Sequence, residues 1–279
     1  MNYRRILTIQ DISCLGQCSG TVALPIISAC GHECCIIPSS VLSTHTGGFT
    51  GFTFADLTEE MPKICRHWES EGLDFDCVYT GYLGSIRQIE YTRMIMNSRL
   101  REGGIKIVDP AMADNGKLYY GFDMEFADAM KGLCAQADYI LPNITEACLL
   151  TGEDYRTEYD EAYITGLLEK LRDLGSGCVI LTGVSYEARK TGVVVFNGVQ
   201  MNYYSHVSIS SGCHGTGDIY ASAFAGALMS GISAEDSARI AADFVVECIK
   251  GTIDDASHTY GAKFEPQLAK LISVINGSK

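Results

Sequence analysis

Strand-length apolar runs alternate with segments of helical period along this 279-residue chain, and that alternation limits the folds open to it more than any other feature. The strand-like runs lie at 5–9, 33–38, 75–80, 105–109, 139–141, 178–182, 192–196 and 201–205; the helical segments lie at 20–29, 56–71, 85–101, 123–135, 143–151, 160–174, 217–230, 234–250 and 265–275. Strand followed by helix, many times over, predicts parallel βαβ units and hence an α/β fold: a doubly wound, mostly parallel sheet flanked by helices. Runs 191–197 and 201–205 are separated only by Gly198-Val199-Gln200 and predict a hairpin. With 47% apolar and 20% charged residues, the chain can cover both faces of such a sheet. No linker, repeat or low-complexity tract divides it, so one domain over 1–279 is expected. Ser85 with Gln88 predicts a capping box, and Gly31 and Gly103-Gly104 fall where helix C-caps are expected.

The formal charge of −13 and the lack of any basic run exclude a nucleic-acid partner, because binding a phosphate backbone needs clustered Lys and Arg. An acidic chain that handles a nucleotide must recruit a cation or build a local anion hole. No stretch approaches the ~20 apolar residues that span a bilayer. The N-terminus runs into a strand-like segment with no apolar signal core, so a cytoplasmic protein with no membrane partner is expected. The twelve cysteines are scattered, without a CxxC pair or a zinc-type Cys/His spacing, and most of them read as small buried thiols.

In doubly wound sheets, ligands bind beyond the carboxyl ends of the strands. The stretch Ser210-Ser211-Gly212-Cys213-His214-Gly215-Thr216-Gly217-Asp218 leads straight into an Ala-rich helical segment. Small residues opening a helix aim the N–H groups of Gly215, Thr216 and Gly217 at an anion, with the helix dipole behind them. Asp218 in the first turn would sit beside that anion as a base. The alternative is a capped helix start in which Asp218 merely suits the dipole. Asn143 and Glu146, three apart at another helix start, share one face, and their hard oxygens suit Mg²⁺ bound through water and phosphate. The alternative for Glu146 is again a first-turn carboxylate that stabilises its helix.

The Gly215-Thr216-Gly217-Asp218 run resembles the Gly-x-Gly-Asp signature of the ribokinase superfamily, and the likeness extends from about residue 6 to residue 250. Within that superfamily the pyridoxal/pyridoxine/pyridoxamine kinases are most similar. Ser43-Thr44-His45-Thr46-Gly47 is similar to their Ser-Asn-His-Thr segment, and Gly81-Tyr82-Leu83-Gly84-Ser85 to their Gly-Tyr-Leu-Gly-Ser turn. Asp109-Pro110-Ala111-Met112 and Pro142-Asn143-Ile144-Thr145-Glu146 resemble their Asp-Pro-Val-Met and Pro-Asn-x-x-Glu.

The resemblance implies a ribokinase-like fold and ATP- and Mg²⁺-dependent phosphorylation of the 5′-hydroxymethyl group of a B6 vitamer, by a homodimer. It implies that Asp218 takes the proton from the substrate hydroxyl while Gly215, Thr216 and Gly217 hold the transferring phosphoryl charge. Asp11, His45, Thr46 and Tyr82 would bind the vitamer. Asp109, Asn143, Glu146, Thr182 and Thr216 would bind ATP, with Asp109 and Glu146 on the metal through water. The family's Ile-Gln-Ser stands here as Ile9-Gln10-Asp11, and an ionised carboxylate accepts hydrogen bonds but cannot donate them. Two alternatives stay open: a hydroxymethylpyrimidine kinase of thiamine synthesis, and a relative that binds a vitamer without turnover. His32, His67 and His258 read as surface or satisfied histidines, whereas His214 and Cys213 lie inside the phosphate loop.

Overall fold

The computed structural model of the protein describes residues 3–209 and 213–278; Ser210, Ser211 and Gly212 of the glycine-rich stretch lie outside them. Nine strands form one sheet in the order β11-β10-β9-β8-β5-β4-β1-β2-β3. Its middle is parallel: β2 (Glu33–Leu42), β1 (Arg5–Ser13), β4 (Phe75–Thr80), β5 (Leu100–Val108), β8 (Tyr139–Ile140) and β9 (Cys178–Val184). One edge carries β10 (Lys190–Phe196) and β11 (Met201–Val207), the expected antiparallel hairpin, and the other carries β3 (Phe54–Asp56). From β1 the chain passes to β2 on one side and then to β4 on the other, so the crevice where strand order reverses opens at the carboxyl ends of β1 and β4.

Alternation along the strands builds two cores, because successive side chains point to opposite faces. Ile6, Cys77, Tyr79, Ile180, Val193 and Val195 pack under α1 (Gly20–Ala29), α7 (Thr216–Met229), α8 (Ala234–Lys250) and α9 (Leu268–Gly277). Leu7, Ile9, Val78, Val108, Val179, Leu181 and Val194 pack under α2 (Met61–Ser70), α3 (Ile86–Arg99), α4 (Met124–Cys134), α5 (Ile144–Thr151) and α6 (Glu161–Asp173). No helix among the described residues is long and apolar enough to cross a membrane, and no disulfide forms among them.

Three local expectations need correction, and one feature is new. The helix expected over 56–71 begins only at Met61, because Asp56 pairs with Ser40 in β3 and its carboxylate accepts from Thr58, closing a turn ahead of Pro62. The Ser85–Gln88 box is half formed: Ser85 Oγ accepts from the Gln88 amide, but Gln88 Oε1 accepts from the Gly84 amide. Gly103-Gly104 caps no helix, since α3 ends at Arg99 and the chain enters β5 at once. The hairpin of β6 (Ala113–Asp114) and β7 (Lys117–Leu118) turns through Asn115 and Gly116, both at positive φ, and was not anticipated.

Candidate active site

The carboxyl ends of β5, β8 and β9 and the first turn of α7 meet around a cleft of about 450 Å³. Asp109, Asn143, Glu146, Thr182, Gly215, Thr216, Gly217 and Asp218 all line it. Ala242, Val245, Val246 and Ile249 of α8 add an apolar wall that the sequence reading missed, because their helical spacing marks them equally well as core. Asp114 and Tyr119 also line it, carried there by the β6–β7 hairpin, whose Asn-Gly dipeptide was the available signal.

Local backbone geometry shapes the start of α7. Gly215 is the N-cap of α7 at φ 75, and a Cβ on it would lie 1.7 Å from the Gln17 carbonyl oxygen. Only glycine fits there. Gly217 has no such restraint, and a Cβ on it would meet nothing within 4 Å. The space it leaves open faces the cleft. The Ile219 amide is bonded to the Gly215 carbonyl at 3.0 Å, and among the described residues the amides of the first turn before it have no partner, as at the open start of any helix.

Around the start of α7 the cleft is acidic. Asp109, Asp114, Glu146 and Asp218 line it, and no Lys or Arg does among the described residues. Burial pushes the half-buried Asp218 carboxyl up to about 7, and the charge of Asp11 adds to the rise. Asp109 is raised well above the usual carboxylate range by burial, then by the charges of Glu146 and Asp218. Glu146 is raised by burial, although three amides oppose the shift.

Those amides show how Glu146 is spent. Its Oε2 accepts from the Asn143 amide at 2.8 Å and its Oε1 from the Met112 amide at 3.1 Å, while Asn143 Oδ1 accepts from the Glu146 amide at 2.9 Å. The pair is a complete capping box on α5 that also ties down the loop after β5; Asn143 Nδ2 donates to the Ala113 carbonyl at 2.8 Å. Asp109 has no side-chain hydrogen bond among the described residues and is the carboxylate left open to the cleft.

The expected vitamer residues form a second group beyond Asp218. Asp11, at the end of β1 and 5% exposed, accepts from Ser13 Oγ at 3.1 Å; burial raises its carboxyl. His45 Nε2 is 3.0 Å from the Tyr260 carbonyl and its Nδ1 3.1 Å from the Gly47 amide, which fixes a neutral ring protonated on Nε2, and burial lowers its pKa. Tyr82 stacks on Phe122, and its phenol is raised first by burial and then by Asp11. His214 lines the cleft and also touches the His45 ring, with centroids 5.2 Å apart, so it bridges the two groups. Thr46 is exposed beside His45, and the Thr182 hydroxyl turns away to the Pro142 carbonyl at 3.3 Å. His32 is buried and shared between the Gly226 carbonyl and Ser230.

Comparison with known proteins fits this arrangement. A family model described as phosphomethylpyrimidine kinase matches residues 24–265. A Bacteroides thetaiotaomicron protein provisionally assigned as a phosphomethylpyrimidine kinase is 35% identical, with a TM-score of 0.93 over 97% of this chain and 94% of its own. A second crystal form of that protein, with pyridoxal, is 34% identical at a TM-score of 0.90 over 99% and 96% of the two chains. Pyridoxal kinase from Lactobacillus plantarum is 28% identical, with a TM-score of 0.91 over 98% of both chains. Pyridoxal kinase from Dictyostelium discoideum is 24% identical over 238 residues, 80% of this chain and 77% of its own. The chain therefore belongs to the phosphomethylpyrimidine kinase family, alongside the pyridoxal kinases and with their ribokinase-like fold.

Proposed function

We propose that this kinase transfers the γ-phosphoryl group of ATP to the 5′-hydroxymethyl group of pyridoxal, pyridoxine or pyridoxamine. The observation that carries this reading is the position of Asp218: it sits at the mouth of α7, between the nucleotide-sized cleft and the group Asp11, His45 and Tyr82, with its carboxyl pushed up to about 7. A base works best with a pKa near the operating pH, where it is both ionised and willing to take a proton. The hydroxymethyl oxygen attacks the γ-phosphorus, its proton passes to Asp218, and the bond to the β,γ-bridging oxygen breaks to release ADP. The first-turn amides at Thr216 and Gly217 face the charge that builds on the transferring group. Little covalent work falls to the protein, and positioning supplies most of the rate.

Mg²⁺ fits the residues present. A triphosphate entering a cleft with four carboxylates and no Lys or Arg among the described residues meets repulsion that a divalent cation removes. Among those residues no three His, Cys, Asp or Glu converge to hold a metal alone, so the ion would come with the nucleotide. Asp109 would hold it, with Glu146 behind it through water. Bound there, it supplies charge neutralisation of the phosphates. The homodimer and the cytoplasmic location belong to the same reading.

A hydroxymethylpyrimidine kinase is the second reading, favoured by the family model's description and by Asp11, a carboxylate that prefers ring groups able to donate a hydrogen bond or carry positive charge. Steady-state ADP release over pyridoxal, pyridoxine, pyridoxamine, hydroxymethylpyrimidine and ribose separates the two. Turnover is expected to be highest with a B6 vitamer, and Asp218→Asn should lower kcat at least ~10²-fold with both KM values little changed. Turnover confined to hydroxymethylpyrimidine would move the assignment to the second reading. No ADP with any substrate would leave a binding protein.

A further inference from the structure

Gln17 lies in the loop between β1 and α1, and both ends of its side-chain amide are committed. Its Nε2 donates to Glu265 Oε1 and Oε2 at 3.1 and 3.0 Å, and its Oε1 accepts from His258 Nε2 at 2.7 Å. Its backbone amide donates to the Tyr260 carbonyl at 3.2 Å. One residue therefore gathers three points of a strap, residues 258–265, that follows α8. The His258 and Tyr260 rings lie 4.2 Å apart on that strap, and its Ala262 and Phe264 are buried in the core under α8 and α9.

The same contacts reach His45 through a single atom. A carbonyl oxygen has two lone pairs, and that of Tyr260 accepts both from Gln17 and from His45 Nε2, the latter at 3.0 Å. His45 Nδ1 accepts from the Gly47 amide at 3.1 Å. Both ring nitrogens are thus taken by backbone groups, and what the ring offers a ligand depends on where those groups set it. The packing leaves little slack: a Cβ on Gly261 would lie 2.7 Å from Gln17 Cβ, and one on Gly16 would lie 2.1 Å from His45 Cδ2. A strap that shifted would carry the Tyr260 carbonyl away and release the ring.

The geometry points to Gln17 as a positioning residue that clasps the 258–265 strap, so that the Tyr260 carbonyl holds the His45 ring in place for a vitamer. This rests on the reading of His45 as part of the vitamer pocket. Binding of pyridoxal, and separately of ATP with Mg²⁺, to the full chain tests it. Gln17→Glu sets two carboxylates against each other at the clasp and should raise the Kd for pyridoxal roughly 3–10-fold. Gln17→Ala removes the same contacts without adding charge and should weaken pyridoxal binding alike. The backbone carbonyl against Gly215 survives both exchanges, so the Kd for ATP should stay within about 2-fold of wild type. Adding Glu265→Gln to Gln17→Glu re-forms the contact with donor and acceptor exchanged, and should return pyridoxal affinity to within about 2-fold of wild type. His45→Ala should itself weaken pyridoxal binding, and Gln17→Glu should cost nothing further in that background, because the clasp acts through the ring. A merely structural clasp would weaken both ligands alike and would cost as much in the His45→Ala background as without it. Either result overturns the proposal, as does wild-type affinity in both single Gln17 variants or no recovery in the exchanged pair. The readings fail separately. Weak binding by His45→Ala with normal Gln17 variants removes only the clasp; normal binding by His45→Ala takes His45 out of the pocket, and a wild-type chain that binds no pyridoxal removes the vitamer reading, each with the clasp.

Discussion

Gly215 and Gly217 are two residues apart in one loop, and physical chemistry asks different things of them. Gly215 answers to the fold, through its φ of 75 and its contact with the Gln17 carbonyl; Gly217 has ordinary φ and open space where a Cβ would stand. Gly217→Ala should therefore leave the melting temperature unchanged or slightly raised, since alanine favours helix by about 1 kcal/mol over glycine. The same methyl would occupy room needed by a phosphate, so KM for ATP should rise at least ~10-fold. Gly215→Ala should lose stability first. A Gly217→Ala enzyme with unchanged KM for ATP would show that no phosphate comes close there. From the sequence alone both residues were one motif, and Asp218 stood beside them at the right spacing. The backbone of Ser19 was not legible: Ser-Gly ahead of a helix reads as a cap, whereas Ser19 lies at φ 53 and makes no side-chain cap.

Helix α5 carries a feature legible as spacing and misleading as chemistry. Asn143 and Glu146 share a face as their separation requires, but their side chains close a capping box and hold the Met112 and Ala113 amides. Glu146→Gln would set an NH₂ group against an amide, leaving a buried donor unpaired at about 1–3 kcal/mol. We expect a lower melting temperature together with a higher Mg²⁺ concentration for half-maximal rate, because Asp109 belongs to the loop that Glu146 steadies. A destabilised enzyme with normal Mg²⁺ dependence would confine Glu146 to its helix. The long elements were readable because each has a periodic buried face. Two-residue strands such as β6 and β7 have no period to read, and the 56–71 segment masked a strand, a turn and a helix under one apolar pattern.

Across the whole molecule, Asp109, Glu146 and Asp218 are all raised above ordinary carboxyls, chiefly by burial. An acid whose folded pKa is raised binds more protons folded than unfolded, so its charging weakens the fold as pH climbs from the ordinary carboxyl range through the raised value. The ligand-free protein should accordingly melt lower at pH 8 than at pH 6. Calorimetry with ATP alone should shift the pH 8 transition little, and ATP with Mg²⁺ should raise it by several degrees. A ligand-free protein more stable at pH 8, or equal stabilisation by ATP without Mg²⁺, would contradict this picture of the cleft. Kinase rate should fall below about pH 7, where Asp218 takes up its proton.

The carbonyl of Gln17, ahead of α1, abuts Gly215, and it is the start of α7 that lines the cleft. That start carries roughly half a positive charge from its aligned peptides. In the proposed reaction it offers the incoming phosphates part of the attraction that lysine or arginine would give elsewhere. A positive pole made of amides has no pKa in any biological range, cannot be acetylated or methylated away, and survives any single side-chain exchange that leaves the helix standing.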